Sequence, residues 1–292
     1  MARILFNHCT PAPNRITGLS VYAWKILEAL SEHGQHQYLL ATNWSPSHLP
    51  QFIADLAIET VSRPRFKNET LAVLFNTLTL PALAKQLGCT AMFHPQPVSM
   101  GAGLDRSVVV VHDLYRVTHP HLFALRQRLQ WQHITARGFC QAARLISVSQ
   151  STADALLSAY PSTGGRVRVV HEASPVQRPA SPPPLPSFAG LPYALMVANI
   201  TPTKNVDVIV AALELLAAQG RQPHVVLVGE GHSTVVSKAA QRHDIKLTRL
   251  SRLSSAELRS LYFHARVFIN TSLVEGFCLP ILEAQTFGTP VI

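Results

Sequence analysis

The sequence is short of the residues that would mark a disulfide-stapled, zinc-bound or membrane-spanning chain. Its four cysteines, Cys9, Cys89, Cys140 and Cys278, lie far apart and form no Cys-x-x-Cys pair. Neither a disulfide framework nor a zinc site is indicated, and a reducing cytoplasm is the compartment they fit. No apolar run reaches the roughly 20 residues that cross a bilayer. The best candidate, Leu71 to Leu87, is interrupted by Asn76, Pro81 and Lys85. Met1 to Asn7 runs at once into a strand-like segment, so no signal peptide is expected. An Asp-x-Asp pair, which could hold a divalent ion beside a diphosphate, is absent as well.

Acidic residues are also few: 16 against 25 Lys and Arg, for a net charge of +9. The imbalance is concentrated early. Residues 1–180 hold 16 basic and 9 acidic side chains, whereas residues 181–292 hold 9 and 7. A basic first half suits an anionic partner such as a phospholipid surface, a lipid-diphosphate acceptor or nucleic acid. It suits a plain solvated basic surface equally well.

What is present is a regular alternation of strand-like and helix-like runs. Strands are expected at Arg3–His8, Tyr38–Ala41, Ala91–His94, Ser107–Val111, Leu145–Val148 and Val167–Val170. Helices are expected at Gly18–His33, Glu69–Leu87, Leu122–Ala142 and Ser151–Tyr160, with Gly34 where the first helix ends. Val108–Val111 is apolar at every position, as a parallel strand covered on both faces requires. Seven prolines then fall between Pro175 and Pro192, a stretch that reads as a semi-rigid linker. Beyond it the alternation restarts with a strand at Ala194–Val197, a helix at Lys204–Gln219 and a strand at Val225–Val228. A capping box at Ser254-x-x-Glu257 opens another helix, and a strand comes after it at Val267–Asn270. A last helix from Pro280 ends by Gly288, and Val291–Ile292 begins one more strand. The expected architecture is α/β with two parallel-sheet domains, 1–174 and 193–292, joined by a linker at 175–192. The second domain has too few elements to match the first and is expected to be partial.

Ligands of open parallel sheets bind beyond the carboxyl ends of the strands. The segment there that packing explains least is Ser272 to Glu283. It comes directly after a strand and enters a helix marked by Pro280. Gly276 allows close approach of a ligand, and the amides of Phe277, Cys278 and Leu279 suit a diphosphate at the positive helix end. Glu275 precedes the turn, where a carboxylate can bind sugar hydroxyls; Glu283 lies inside the helix, placed for ribose hydroxyls. Two glutamates at a helix start also have a plain electrostatic explanation, though Ile281, Leu282 and Ala284 suggest a buried helix.

The stretch Glu275-Gly-Phe-Cys-Leu-Pro-Ile-Leu-Glu-Ala284, with Gly288-Thr-Pro-Val-Ile292 after it, resembles the E-x7-E signature of glycosyltransferase family 4, the retaining group 1 enzymes of GT-B fold. Cys278 stands where the family commonly has glycine. Val111-His-Asp-Leu114, Leu145-Ile-Ser-Val-Ser149 with Ser151-Thr152, Val228-Gly-Glu-Gly231, and Gly18 at the head of the first long helix resemble further family segments in the same order. The resemblance implies a nucleotide-diphosphate-sugar donor held by Gly18, Asn199, Lys204, Arg252, Leu253, Glu275, Gly276, Phe277, Cys278, Leu279 and Glu283. It implies catalytic roles for His112, Lys204 and Glu275, with no metal and no further cofactor. The base is expected at Leu250–Leu253. The acceptor, a glycan or a lipid-linked sugar, is expected near Asn14–Gly18 and Tyr115–His121, with peripheral contact to an anionic membrane. Mannosyl transfer in cell-envelope polysaccharide synthesis is the activity the resemblance favours. One departure stands out: the family's arginine before Lys204 is replaced by Asn199, and Arg15 or Arg252 is a candidate to substitute for it. A 2-epimerase on the same scaffold and an inactive partial relative are alternatives. A nucleic-acid binder has only the charge in its favour, because aromatic-basic interleaving is missing.

Overall fold

In the computed structural model the described residues are 1–292 except 11, 12, 15, 66–68, 97–105, 182 and 185–191; the side chains of 69, 70, 72–74, 76, 77, 130 and 134 also fall outside the description. The chain divides between Glu172 and Ala173 into two units.

The first unit is built on apolar strands too continuous for a half-wet sheet. Its strands are β1 (Arg3–His8), β2 (Gln37–Thr42), β3 (Glu59–Ser62), β4 (Ala91–His94), β5 (Ser107–Val111), β6 (Arg144–Ser147) and β7 (Val167–Val169). All seven are parallel, in the order β3-β2-β1-β4-β5-β6-β7. Central positions such as Leu5, Leu39, Val109 and Leu145 are fully buried and pack with Leu80, Trp131, Phe139 and Leu156 from the helices. Helix α1 (Gly18–His33) starts at a capping box, in which Thr17 Oγ1 accepts from the Ser20 amide and Ser20 Oγ accepts from the Thr17 amide. It stops at Gly34, though not through a left-handed residue: φ is −81°, and a Cβ there would lie 2.2 Å from the Leu30 carbonyl oxygen. Short helices α2 (Phe52–Asp55) and α4 (Tyr115–Thr118) and the longer α3 (Glu69–Gln86) complete the first half of the unit.

The single helix expected over Leu122–Ala142 is four pieces. A 3-10 turn at Pro120–Leu122 leads to α5 (Leu125–Gln130), a π-turn at Trp131–Thr135 and α6 (Ala136–Gln141). The wider π-turn coincides with the point where Trp131 enters the core, and the Arg116 guanidinium stacks on that ring at 5.1 Å. Trp24 and Trp44 are buried too, so all three tryptophans are core residues. Helix α7 (Gln150–Ala159), capped by Ser149, completes the unit.

The second unit repeats the plan at smaller scale. Strands β8 (Tyr193–Val197), β9 (His224–Val228), β10 (Lys246–Leu250) and β11 (Val267–Phe268) form a parallel sheet in the order β10-β9-β8-β11. Helices α8 (Asp207–Ala218), α9 (Thr234–Ala239), α10 (Ser255–His264) and α11 (Leu279–Phe287) cover it. The expected helix from Lys204 begins instead with a 3-10 turn at Pro202–Lys204 and a left-handed Asn205, so α8 proper starts at Asp207. Val291 pairs with Phe268 beside β11, as a nascent strand should.

The described part of the proline-rich stretch is fastened to this second unit. Ser260 Oγ donates to the Pro184 carbonyl at 2.5 Å, His264 Nε2 lies 2.9 Å from the Pro183 carbonyl, and Thr286 Oγ1 donates to Ser174 Oγ at 2.8 Å. The break thus falls two residues before the expected boundary at 174, and the described linker residues belong with the second unit.

Candidate active site

In the second unit the loop after β11 brings Lys204 and Glu275 into direct contact. Lys204 Nζ donates to Glu275 Oε1 at 2.5 Å, with the two side chains 28% and 20% exposed. The loop is secured from both sides. The Leu273 amide donates to the Thr203 carbonyl at 2.9 Å, and Thr271 Oγ1 donates to the Lys204 carbonyl at 2.9 Å. Ser272 Oγ lies 2.5 Å from the same Glu275 oxygen and 3.0 Å from Asn270 Oδ1. A cation and a carboxylate 71 residues apart are thereby held side by side at the carboxyl end of a parallel sheet.

Helix α11 begins immediately beyond. Cys278 takes a left-handed conformation, φ 76°, and no side chain caps the helix start. The family's usual glycine at this position is therefore explained by backbone shape; a cysteine there carries strain of about 1 kcal/mol. Burial, then the neighbouring Glu275 carboxylate, pushes the Cys278 thiol up to about 12, so it stays protonated. Gly276, Phe277 and Leu279 occupy the same turn, as expected from their spacing. Glu283 sits one turn inside α11, where Tyr262 Oη donates to its Oε2 at 2.6 Å. Burial raises the carboxyl above its ordinary range, and the tyrosine bond partly offsets this. Tyr262 is stacked on Phe287, 5.8 Å between centroids, so Glu283 is anchored by a buried aromatic pair that its sequence spacing does not announce.

Asn199 makes a structural bond where a phosphate-binding arginine was expected. Its Oδ1 accepts from the Glu230 amide at 3.1 Å and holds the Val228–Gly231 turn against the end of β8. Both glycines of that turn are required by close approach. A Cβ at Gly229 would lie 2.0 Å from the Ala198 carbonyl oxygen, and one at Gly231 would lie 2.7 Å from that of Ile200. Arg249 donates to the Gly231 carbonyl from the next strand. Arg252 is left-handed and 88% exposed, its Nε 3.8 Å from Glu230 Oε1. Leu253 packs into the core behind it. Arg15 lies outside the described residues.

In the first unit Gly18 is the first residue of α1, with open space around the position of a Cβ. Asn14, also left-handed, accepts from the Ser45 amide through Oδ1 at 2.8 Å. His112 comes straight after β5, and its two ring nitrogens lie 2.9 Å from Glu172 Oε1 and 2.8 Å from the Pro95 carbonyl oxygen. Glu172 gave no signal in the sequence: it stands alone, 60 residues from its partner. Equally unannounced is a buried polar layer at the strand ends. His94 Nδ1 pairs with Asn7 Nδ2 at 3.1 Å, and His8 lies between Trp24 and Trp44 with neither ring nitrogen hydrogen-bonded among the described residues. Among the described residues, no three His, Cys, Asp or Glu side chains gather as a metal site.

Two parallel α/β units, one carrying an uncapped helix start beside a lysine and two carboxylates, place the chain among the two-sheet nucleotide-binding folds. The structure of sucrose-phosphate synthase from Thermosynechococcus elongatus matches with a TM-score of 0.68 at 17% identity, over 100% of this chain and 80% of that one. WaaG, a glycosyltransferase involved in lipopolysaccharide biosynthesis, matches with a TM-score of 0.67 at 15% identity, over 99% and 80%. These likenesses show the GT-B fold. The family model "Glycosyltransferase Family 4" matches residues 16–178 and "Glycosyl transferases group 1" matches residues 177–292. The chain belongs to glycosyltransferase family 4. The O-antigen chain mannosyltransferase B of Escherichia coli is 27% identical over 202 residues, 65% of this chain and 53% of that protein. The chain thus spans about half the length of that relative.

Proposed function

We propose that this protein transfers a hexose, mannose by preference, from a nucleotide-diphosphate sugar to a glycan or lipid-linked acceptor in cell-envelope polysaccharide synthesis. The observation that carries this reading is the Lys204–Glu275 contact beside the uncapped start of α11. Lys204 and the helix-end amides neutralise the departing diphosphate, in place of a divalent metal. Glu275 orients the sugar hydroxyls, and Glu283 keeps the oxygen not bonded to Tyr262 for the ribose. The bond from the anomeric carbon to the diphosphate breaks as the acceptor hydroxyl attacks on the same face, its proton passing to a donor phosphate oxygen. The configuration is therefore retained. The relative's name, a mannosyltransferase of the O-antigen chain, supports the sugar and the acceptor class.

Acceptor and membrane belong to the first unit in this reading. No described helix is long and apolar enough to cross a membrane. Leu125 and Leu129 are exposed one turn apart on α5 beside Arg126 and Arg128, which supports contact with an anionic lipid surface.

The test is thermal stabilisation by UDP-, GDP- and ADP-sugars, and then incubation of the stabilising donor with and without lipid-linked acceptor. One donor should raise the melting temperature, and sugar should move only when acceptor is present. Epimerised donor in the absence of acceptor would instead support the 2-epimerase alternative. No shift with any donor would sink the transferase reading.

A further inference from the structure

Where β4 and β5 begin, the first unit leaves a cleft of about 690 Å³ between the last turns of α3, the turn at Gly88–Thr90 and the starts of the two strands. The cleft follows from how α3 ends. Gly88 is left-handed, φ 67°, and the Cys89 amide donates back to the Ala84 carbonyl at 2.8 Å, so the chain leaves the helix abruptly for β4. Alanines at 82, 84 and 91 face the gap, and a Cβ at Gly88 would meet nothing within 4 Å. Short side chains therefore leave the space between helix and strands unfilled.

Its two sides differ in chemistry. Ala84 and Met92, each 5% exposed, form the floor. Lys85 and Arg106 are exposed and stand at the mouth, and neither side chain is hydrogen-bonded or ion-paired to a described residue. Lys85 lies in the last turn of α3, where the helix dipole suits a cation; Arg106, in the residue before β5, has no such local reason. Among the described residues lining the cleft none is acidic and none is aromatic. Glu59, the carboxylate whose charge is felt at Cys89, is paired with Arg3 at 2.7 Å.

Two unpartnered cations above an aliphatic floor suit an anionic head on an aliphatic chain. With no aromatic face, a base or a sugar ring has nothing to stack on. A guanidinium can meet a carboxylate through two parallel hydrogen bonds, and methylenes buried against Met92 and the alanines add to that. A glycerol backbone is poorly served by the lining side chains: the Thr90 hydroxyl donates to the Arg3 carbonyl at 3.4 Å, and the Cys89 thiol is a weak donor.

We propose that this cleft binds a free fatty acid, its carboxylate on Arg106 and Lys85 and its chain across Ala84 and Met92, at the opposite strand ends from His112. The test reads binding, so it is independent of sugar transfer. Protein labelled with carbon-13 at its methionine methyls is titrated with decanoate at pH 7.5, Met92 being assigned by comparison with Met92→Leu. The Met92 signal should move and saturate, while that of Met196, buried in the second unit, stays in place. Octanoate, two methylenes shorter, should bind about fivefold more weakly. Replacing decanoate by 1-decanol, or the wild type by the double variant Lys85→Gln with Arg106→Gln, should each weaken binding at least about tenfold, the scale of one charge-assisted hydrogen bond. A Met92 signal that stays in place, a Met196 signal that moves equally, or decanol binding as tightly as decanoate overturns the proposal. So does tighter binding of a lysophosphatidate with the same chain, which would assign the cleft to a phospholipid head instead. Should the double variant fail to fold, decanol against decanoate on the wild type decides alone.

Discussion

The two units place polar side chains at the ends of parallel strands in opposite ways. In the first unit the layer is covered: His8, His94 and Asn7 are buried, with His8 between Trp24 and Trp44, and the His112 and Glu172 side chains are only 11% and 5% exposed, with Tyr22 edge-on to the His112 ring. In the second, Lys204 and Glu275 neutralise one another within reach of solvent. The same topology thus supports a dry wall, fixed during folding, and a wet one whose charges can exchange partners for a ligand. A partly exposed ion pair contributes little to stability, so the fold tolerates its removal. A buried polar layer is the reverse, since each orphaned group costs free energy whether or not a ligand is bound.

The largest effect that would break this contrast concerns transfer. Lys204→Ala or Glu275→Ala should lower turnover by at least about a hundredfold, the scale of losing one preorganised charge-stabilising group. Each should change unfolding free energy by under about 1 kcal/mol. Steady-state kinetics beside urea unfolding checks both halves; near wild-type turnover in both variants removes the second unit's site.

The next effect is on acid stability and belongs to the first unit. Burial pushes His8 down to about 3 and His94 to about 4, against an ordinary value of 6.5. Between those values the unfolded chain binds protons that the folded rings refuse. Stability is therefore complete above pH 6.5 and falls as the pH drops towards 4, by about 1.4 kcal/mol per pH unit for each ring. His8→Leu removes one of these rings and should lower the slope by about 1.4 kcal/mol per pH unit in urea unfolding measured from pH 6.5 to 4.5. An unchanged slope would mean that the wall is wetter than its packing indicates. The smallest effect sharpens the picture of the α11 turn. Cys278→Gly relieves a left-handed side chain but loosens the unfolded chain, for a net gain on the order of 0.5 kcal/mol. Cys278→Val should be less stable than either form, as a melting curve of the three would show.

Legibility tracked apolar pattern and local chemistry. β1, β5, α1 and the turn into α11 were readable because burial on both faces, a helical stripe or a Gly-Pro turn leaves a mark within a few residues. β3 was missed because Glu59–Ser62 is an edge strand, mostly exposed and without an apolar run. β10 was missed for a related reason, as Lys246 and Arg249 break up its pattern at the other sheet's edge. Lys204, Glu275 and Glu283 were readable from the spacing around one helix start. Their bonds to Ser272 and Tyr262 were not, and neither was Glu172, whose partner is reached only once β5 and β7 lie in the same sheet. Asn199 stands where the resemblance leads one to look for an arginine, and its bond to the Glu230 amide of the neighbouring turn is one that its place in the sequence does not announce.

The strand order of the first sheet also sets a timetable. β1 is made before both of its neighbours, β2 and β4, and its register with β4 joins Ile4 to Ala91. At roughly 5–20 residues per second of synthesis, Leu5 and Phe6, fully buried in the finished protein, wait about 5–20 s for β4 to emerge and cover that edge. Pairing across such separations also closes slowly once the strands are present. The nascent chain therefore passes through a long interval with β1 half-covered, and chaperones have Leu5 and Phe6 to shield in that interval.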